Sequence, residues 1–262
     1  MERWALVTGA AGDLGRAACV TLAEDDWSLL IADHPAQTAR LDDTRRACAA
    51  SGAHAVPATF DVTDGKAVVQ AVETLAERHG VATAVVAGAG VQGAFAPVHD
   101  YDVELARQLL DVNVMGVFNV LTVTARLMIH AGTGGSVIAI ASMAGVNGAP
   151  NMPAYAASKA AVVGLVKAAS RDLAPHDVRL NAISPGFIGP GKMWDVQVAR
   201  QAAAGSQYYG SEPEVVERQM IDAIPLRRYG SPTQVADVIS FLAGERSSYL
   251  TGINIEIAGG AL

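Results

Sequence analysis

Val7-Thr8-Gly9-Ala10-Ala11-Gly12-Asp13-Leu14-Gly15-Arg16 joins a short apolar run, Ala5-Leu6-Val7, to a stretch of helical period from Leu14 to Asp25. A strand that turns through glycines into a helix leaves the helix's first N–H groups free to hold an anion such as a pyrophosphate. Taken alone, Gly9 and Gly12 could be ordinary turn residues. Their place in the first strand–helix unit favours the phosphate cradle, with Gly9, Gly12, Asp13, Leu14 and Gly15 as candidate contacts. The next apolar run, Leu29-Leu30-Ile31-Ala32, ends in Asp33, eighteen residues after Gly15. A carboxylate at that distance suits the hydroxyls of an adenosine ribose and repels a 2′-phosphate, so NAD is favoured over NADP. No arginine or lysine stands at Ala10, Ala11 or His34 to welcome the extra phosphate.

Working outward, short strand-like runs alternate with helical segments, the pattern of parallel strands joined by crossover helices. Strands are expected at Ala5–Thr8, Leu29–Asp33, Ala55–Asp61, Ala84–Ala87, Ser136–Ala141, Arg179–Ile183 and Ile253–Ile257. Helices are expected at Leu14–Asp25, Ala36–Ser51, Gly65–His79, Val103–His130, Ala154–Ala174 and Thr233–Ala243. Thr63-Asp64 and Ser231-Pro232 are good helix starts, since a side-chain oxygen can cap free N–H groups and proline has none to satisfy. The expected fold is α/β: a single doubly wound Rossmann domain over residues 1–262, with a seven-stranded parallel sheet and helices on both faces. Residues from about 187 to 224 break the rhythm and read as an insertion over the sheet's carboxyl edge, where such sheets bind ligands.

Composition bounds the function. The 262 residues are 51% hydrophobic and carry a net charge of −7, which opposes a nucleic-acid partner. Cys19 and Cys48 lack metal-ligand spacing and read as buried small residues, and the scattered histidines form no i,i+4 pair. The apolar run near the N-terminus is too short for a signal-peptide core, which points to the cytoplasm. The stretch Val81–Val98, taken as the longest apolar one, is interrupted by Gly88, Gly90 and Gly93 and does not read as a membrane span.

Tyr155-Ala156-Ala157-Ser158-Lys159 puts a phenol and an ammonium one helical turn apart on one face. A phenol titrates near about 10, and a neighbouring cation favours its phenolate, so the pair could exchange a proton with an alcohol or a carbonyl at neutral pH. As a bare pattern it is an ordinary surface contact; its context decides.

The glycine turn, Asp33, Asp61-Val62, Ala87-Gly88-Ala89-Gly90, Asn113, Ser142, Tyr155 with Lys159, Pro185-Gly186 and Thr251-Gly252…Gly259-Gly260 stand in one order over nearly the whole chain. In this the sequence resembles the short-chain dehydrogenase/reductase family, in its compact single-domain branch. The resemblance implies hydride transfer with NAD coupled to proton transfer through Tyr155. Lys159 would lower the phenol's pKa and hold the nicotinamide ribose, Ser142 would bond the substrate oxygen, and Asn113 would fix a water linked to Lys159. Asp61 and Val62 would receive the adenine, and Ala89, Gly90, Pro185, Gly186 and Ile188 would complete the cofactor contacts. A homotetramer is also implied, built through the helices that carry Asn113 and Tyr155 and through the C-terminal strand.

Three positions depart from the family pattern. Asp13 replaces a glycine; an acid beside a pyrophosphate weakens binding unless it turns aside to cap the helix. Ala87-Gly88-Ala89-Gly90 lacks the family's asparagine side chains, which steady the central strand. Phe187-Ile188 stands where a threonine often bonds the carboxamide, leaving the backbone of Ile188 for that contact. Met193, Trp194, Tyr208 and Tyr209 in the insertion suggest a lid with apolar anchors, and Gln92, Met143 and Asn147 follow strand-end residues of the site. A secondary alcohol or ketone with a hydrophobic or cyclic body fits such a lid. The rivals are a 3-oxoacyl-thioester reductase and a non-catalytic NAD sensor. A serine hydrolase is excluded because Ile140 and Ala144 flank Ser142 where a nucleophile elbow needs glycines.

Overall fold

The computed structural model describes residues 2–261; Met1 and Leu262, the ends of the expected domain, lie outside them. The apolar runs become β1 (Trp4–Thr8), β2 (Ser28–Asp33), β3 (Ala55–Thr59), β4 (Ala84–Ala87), β5 (Gly135–Ile140), β6 (Val178–Pro185) and β7 (Asn254–Ile257). All pair in parallel, in the order β3-β2-β1-β4-β5-β6-β7, with Val7 opposite Ile31 on one side and Val86 on the other. The helices are α1 (Asp13–Glu24), α2 (Thr38–Ala50), α3 (Gly65–His79), α4 (Val103–Leu110), α5 (Gly116–Ala131), the single turn α6 (Ala144–Asn147), α7 (Pro153–Leu173), α8 (Lys192–Ala203), α9 (Pro213–Asp222) and α10 (Pro232–Ala243).

Successive strand side chains point to opposite faces, so two cores form. Leu6, Leu30, Val85, Val137 and Leu180 pack with Val72 of α3, Val120 of α5 and Val166 of α7. Val7, Leu29, Ile31, Val86 and Ile138 pack with Leu22 of α1, Leu41 of α2 and Ile239 of α10. Burial on both faces explains why the strands read as continuous apolar runs rather than alternating ones. Pro57, which cannot donate to a ladder, sits in the edge strand β3. Cys19 and Cys48 are free thiols buried in the second core.

The expected helix starts form. Asp64 accepts from the N–H groups of Lys66 and Ala67, and Ser231 with Gln234 makes a reciprocal capping box before α10. The expected Val103–His130 helix is interrupted: Asp111–Met115 adopts a π turn between α4 and α5. The run Val103–Ala131 is, by length and composition, apolar enough to cross a membrane, and the choice of Val81–Val98 as the longest such stretch is corrected here. Half of its most apolar window is buried, and Val117, Val120 and Leu121 belong to the first core, so the run serves as a core helix. Strand order reverses between β1 and β4, and the carboxyl ends of these two strands open the crevice that holds the site.

Candidate active site

A cavity of about 690 Å³ runs along that crevice. Its floor at one end is the glycine turn, which is built by close backbone approach. Gly9 has φ +73°, and a Cβ there would meet the Gly88 carbonyl oxygen at 2.7 Å; a Cβ on Gly15 would meet the Gly9 oxygen at 2.1 Å. No side chain fits, and the turn's backbone stays open to the cavity. The steadying role left vacant by the missing asparagines falls to Thr8, whose hydroxyl donates to the Val86 carbonyl and accepts from the N–H groups of Gly88 and Ala89.

Asp33 ends β2 beside this turn. Its carboxylate accepts from the Ala11 N–H at 2.8 Å and the His34 N–H at 2.7 Å, which fixes it against the cavity. Asp61 lies two residues beyond β3, in a turn rather than in the expected strand. It accepts from the Thr63 N–H at 2.9 Å and the Thr63 hydroxyl at 2.8 Å, and these bonds, the backbone one foremost, hold its carboxyl below the usual range. Val62 packs under Gly116, and its carbonyl accepts from Asn119 at 2.8 Å. Gly9, Gly12, Asp13, Leu14, Gly15, Asp33, Asp61, Val62, Ala89, Gly90, Tyr155, Lys159, Pro185, Gly186 and Ile188 all line the one cavity. The backbone of Ile188 lies against Gly230 through bonds from Gly189 N–H to Gly230 O and from Gly230 N–H to Phe187 O, neither of which uses Ile188's own N–H.

Asp13 does not cap α1. Gly12, its N-cap, offers no side chain, and the Asp13 carboxylate turns to Arg40 of α2, 3.1 Å away, on the side where Gly191 leaves room for it.

At the far end Ser142 follows β5, and Tyr155 and Lys159 project from α7. Pro153 starts α7, where its missing N–H is harmless, and sets the register that brings both side chains to the cavity. Lys159 is 4% exposed, and its ammonium donates to the Ile140 carbonyl at 2.8 Å. Its Nζ lies 5.7 Å from the centre of the Tyr155 ring. Burial brings the Lys159 pKa down from 10.5 to about 8. Burial also pushes the Tyr155 phenol up, with a hydrogen bond from Ser142 opposing it. The expectation that Lys159 acidifies the phenol is not met in the cofactor-free protein, where desolvation by burial is the largest influence on it.

Asn113 is fully buried behind these groups rather than lining the cavity. The π turn lets its side chain accept from the Val91 N–H at 2.8 Å and donate to the Val91 carbonyl at 2.9 Å and the Ser158 hydroxyl at 3.0 Å. Both amide protons are therefore used within the protein, where they hold Val91 and Ser158 in place.

The insertion forms α8 and α9 over the sheet edge, with its own small core of Trp194, Val198, Val216 and Met220. Gln92, Met143, Asn147, Met193 and Trp194 line the cavity as expected. Tyr208 does not; it is 60% exposed on the turn after α8. Tyr209 packs on the lid's own core, and Trp194 meets Phe187 edge-on and Tyr229 at a tilt while its indole donates to Glu217 at 3.1 Å. The lid's aromatic residues thus serve largely to hold the lid together. Gln197, which also lines the cavity, accepts from Gln92 at 2.9 Å and ties α8 to the loop after β4. Its signal in the sequence was its spacing, one helical turn beyond Met193.

Such an arrangement offers a cradle for an anion, a carboxylate for a ribose, and a phenol, hydroxyl and ammonium around one apolar-walled space. The profile of the short chain dehydrogenase family matches residues 3–201. The L-2,3-butanediol dehydrogenase of Corynebacterium glutamicum is 33% identical, covering 100% of this chain and 99% of that protein. The 3-oxoacyl-[acyl-carrier-protein] reductase FabG of Thermotoga maritima is 31% identical, covering 97% and 96%. The crystal structure of an NAD⁺-bound xylitol dehydrogenase is similar with a TM-score of 0.96 and 42% identity, over 98% of each chain. The chain belongs to the short-chain dehydrogenase family.

Proposed function

We propose that this oxidoreductase interconverts a secondary alcohol and a ketone with NAD(H). The observation that carries the reading is the single cavity that joins the backbone cradle at Gly9–Gly15 and the ribose-type carboxylate of Asp33 to Ser142, Tyr155 and Lys159. The residues fit the cofactor: the turn excludes any Cβ at Gly9 or Gly15, and Asp33 is held by two backbone N–H groups with acceptor capacity to spare. When bound, NAD(H) supplies or takes the hydride. Asp33 would accept from the adenosine ribose hydroxyls, Asp61 and Val62 would receive the adenine, and Ile188 would offer its N–H to the carboxamide.

Ser142 positions the substrate oxygen and Tyr155 exchanges the proton with it, as a phenol lining the same cavity can. Lys159 would hold the nicotinamide ribose, and Asn113 positions the Val91 loop and Ser158. Tyr155 would reach the phenolate that burial alone opposes more readily with the positive charge of NAD⁺ bound in the same cavity. Preference for NAD over NADP rests on Asp33 and receives support from the NAD⁺-bound relative.

The substrate end mixes the amides of Gln92, Asn147 and Gln197 with Met143, Met152 and Met193. This favours a small carbon skeleton bearing hydroxyl groups over a purely hydrophobic body, a reading supported by the diol and polyol named for two relatives. The exposed faces of Val103, Leu110, Met115 and Phe118 support assembly through α4 and α5, in keeping with a homotetramer. A second reading, a 3-oxoacyl-thioester reductase, is favoured by the Thermotoga relative; Asp33 and the −7 charge speak against it. The test follows the absorbance of NADH and NADPH against hydroxyketones, cyclic diketones, aryl ketones and acyl thioesters. Turnover of a small ketone with NADH is expected. Turnover of acyl thioesters with NADPH alone would establish the second reading, and NADH binding without any turnover would establish a sensor.

A further inference from the structure

Asp13 is the departure from the family pattern that the proposed chemistry leaves unused, and its surroundings give it a task. Its carboxylate pairs with Arg40 at 3.1 Å and lies close enough to Gly191 that a Cβ there would come within 2.6 Å of its Oδ2. Arg40 is the only arginine among the residues lining the cavity, and it lines the end where Asp33, His34 and Gln37 also lie. The other carboxylates at that end have partners of their own, Asp33 in two backbone N–H groups and Asp61 in Thr63 with His34 nearby. Asp13 has Arg40 as its side-chain partner.

We propose that the Asp13–Arg40 pair is a specificity-determining element for the cofactor: Asp13 engages the one cavity-lining guanidinium that could receive a 2′-phosphate and so withholds it from that group. Cofactor choice is then set at two positions, and the acid in the glycine turn is one of them. A 2′-phosphate carries close to two negative charges and pairs best with a guanidinium, whose fork matches its oxygens. The Asp13 and Arg40 side chains are 34% and 42% exposed, so the pair is screened and its effect on affinity is a modest factor. The inference rests on the reading of the cavity as a site for a nicotinamide dinucleotide.

The test measures dissociation constants of NADH and NADPH by cofactor fluorescence for the wild type, Asp13→Asn, Arg40→Gln and the double variant, at low and high salt. Asp13→Asn should tighten NADPH roughly fivefold to tenfold more than it changes NADH. That differential should vanish in the double variant and shrink at high salt, while Arg40→Gln alone should leave the NADPH to NADH ratio close to that of the wild type. Equal changes for both cofactors would overturn the proposal, since they would place the effect of Asp13 on the pyrophosphate or the lid. So would a differential that survives loss of Arg40, or loss of both affinities in Asp13→Asn. Failure of the wild type to bind either cofactor would instead overturn the underlying functional reading, and the proposal with it.

Discussion

Lys159 is buried at 4% exposure with its ammonium on a backbone carbonyl, and its charge is maintained against the stability of the fold. The fall in its pKa from 10.5 to about 8 corresponds to roughly 3 kcal/mol of destabilisation at pH 7. The sign follows from proton binding. Between about 8 and 10.5 the unfolded chain keeps a proton that the folded one has released, so this group's contribution to stability rises with pH across that window and the penalty is complete below it. Lys159→Met removes the charge but leaves the Ile140 carbonyl without its donor, a loss of about 1 kcal/mol. The cofactor-free variant should therefore be more stable than the wild type by about 2 kcal/mol at pH 7, a rise in Tm of roughly 4–8 °C for a chain of this size. By pH 10 the two proteins should melt together. Thermal and urea unfolding at matched protein concentration at both pH values would test this. A variant that is less stable at pH 7, or one whose advantage is equal at pH 7 and pH 10, would refute the assignment of Lys159 as a desolvated cation.

Asn113→Ala deletes three hydrogen bonds, the one to Ser158 buried and the two to Val91 partly so, and leaves a small void, so urea unfolding should show a loss of about 1–3 kcal/mol; a loss under about 0.5 kcal/mol would contradict its positioning role. Alcohol oxidation should rise from pH 7 upward, because accepting the substrate proton needs the Tyr155 phenolate, whose population grows with pH. A kcat/KM profile that is flat or falling, with the protein still folded, would contradict that. Gly15→Ala places a methyl carbon 2.1 Å from the Gly9 carbonyl oxygen, so NADH fluorescence titration should show binding weakened by more than tenfold; unchanged affinity would contradict the close-packed cradle.

The parallel sheet was legible because doubly buried strands write continuous apolar runs bounded by turns, and the capping residues Asp64 and Ser231 marked their helices accurately. Less legible was anything set by neighbours far away in sequence. The π turn at Asp111–Met115 has the composition of an ordinary helix, and its reason is the reach of Asn113 to Val91 on another element. Tyr208 and Trp194 look alike as lid aromatics; only packing separates an exposed turn residue from one held edge-on and tilted between Phe187 and Tyr229. Helical spacing correctly put Tyr155 and Lys159 on one face, yet it carried no information on desolvation, which decides the phenol's titration. Arg40 gave no local signal, since its significance arises from Asp13, which lies on a different helix.

The most direct test of the account is Tyr155→Phe, which removes one hydroxyl from the cavity and leaves the ring, the cradle and Asp33 in place. With NADH binding preserved, as followed by cofactor fluorescence, kcat should fall by roughly 10²–10⁴-fold, the range that proton transfer by a positioned side chain supplies. A variant that binds NADH and turns over within a few-fold of the wild type would contradict the claim that this phenol carries the proton.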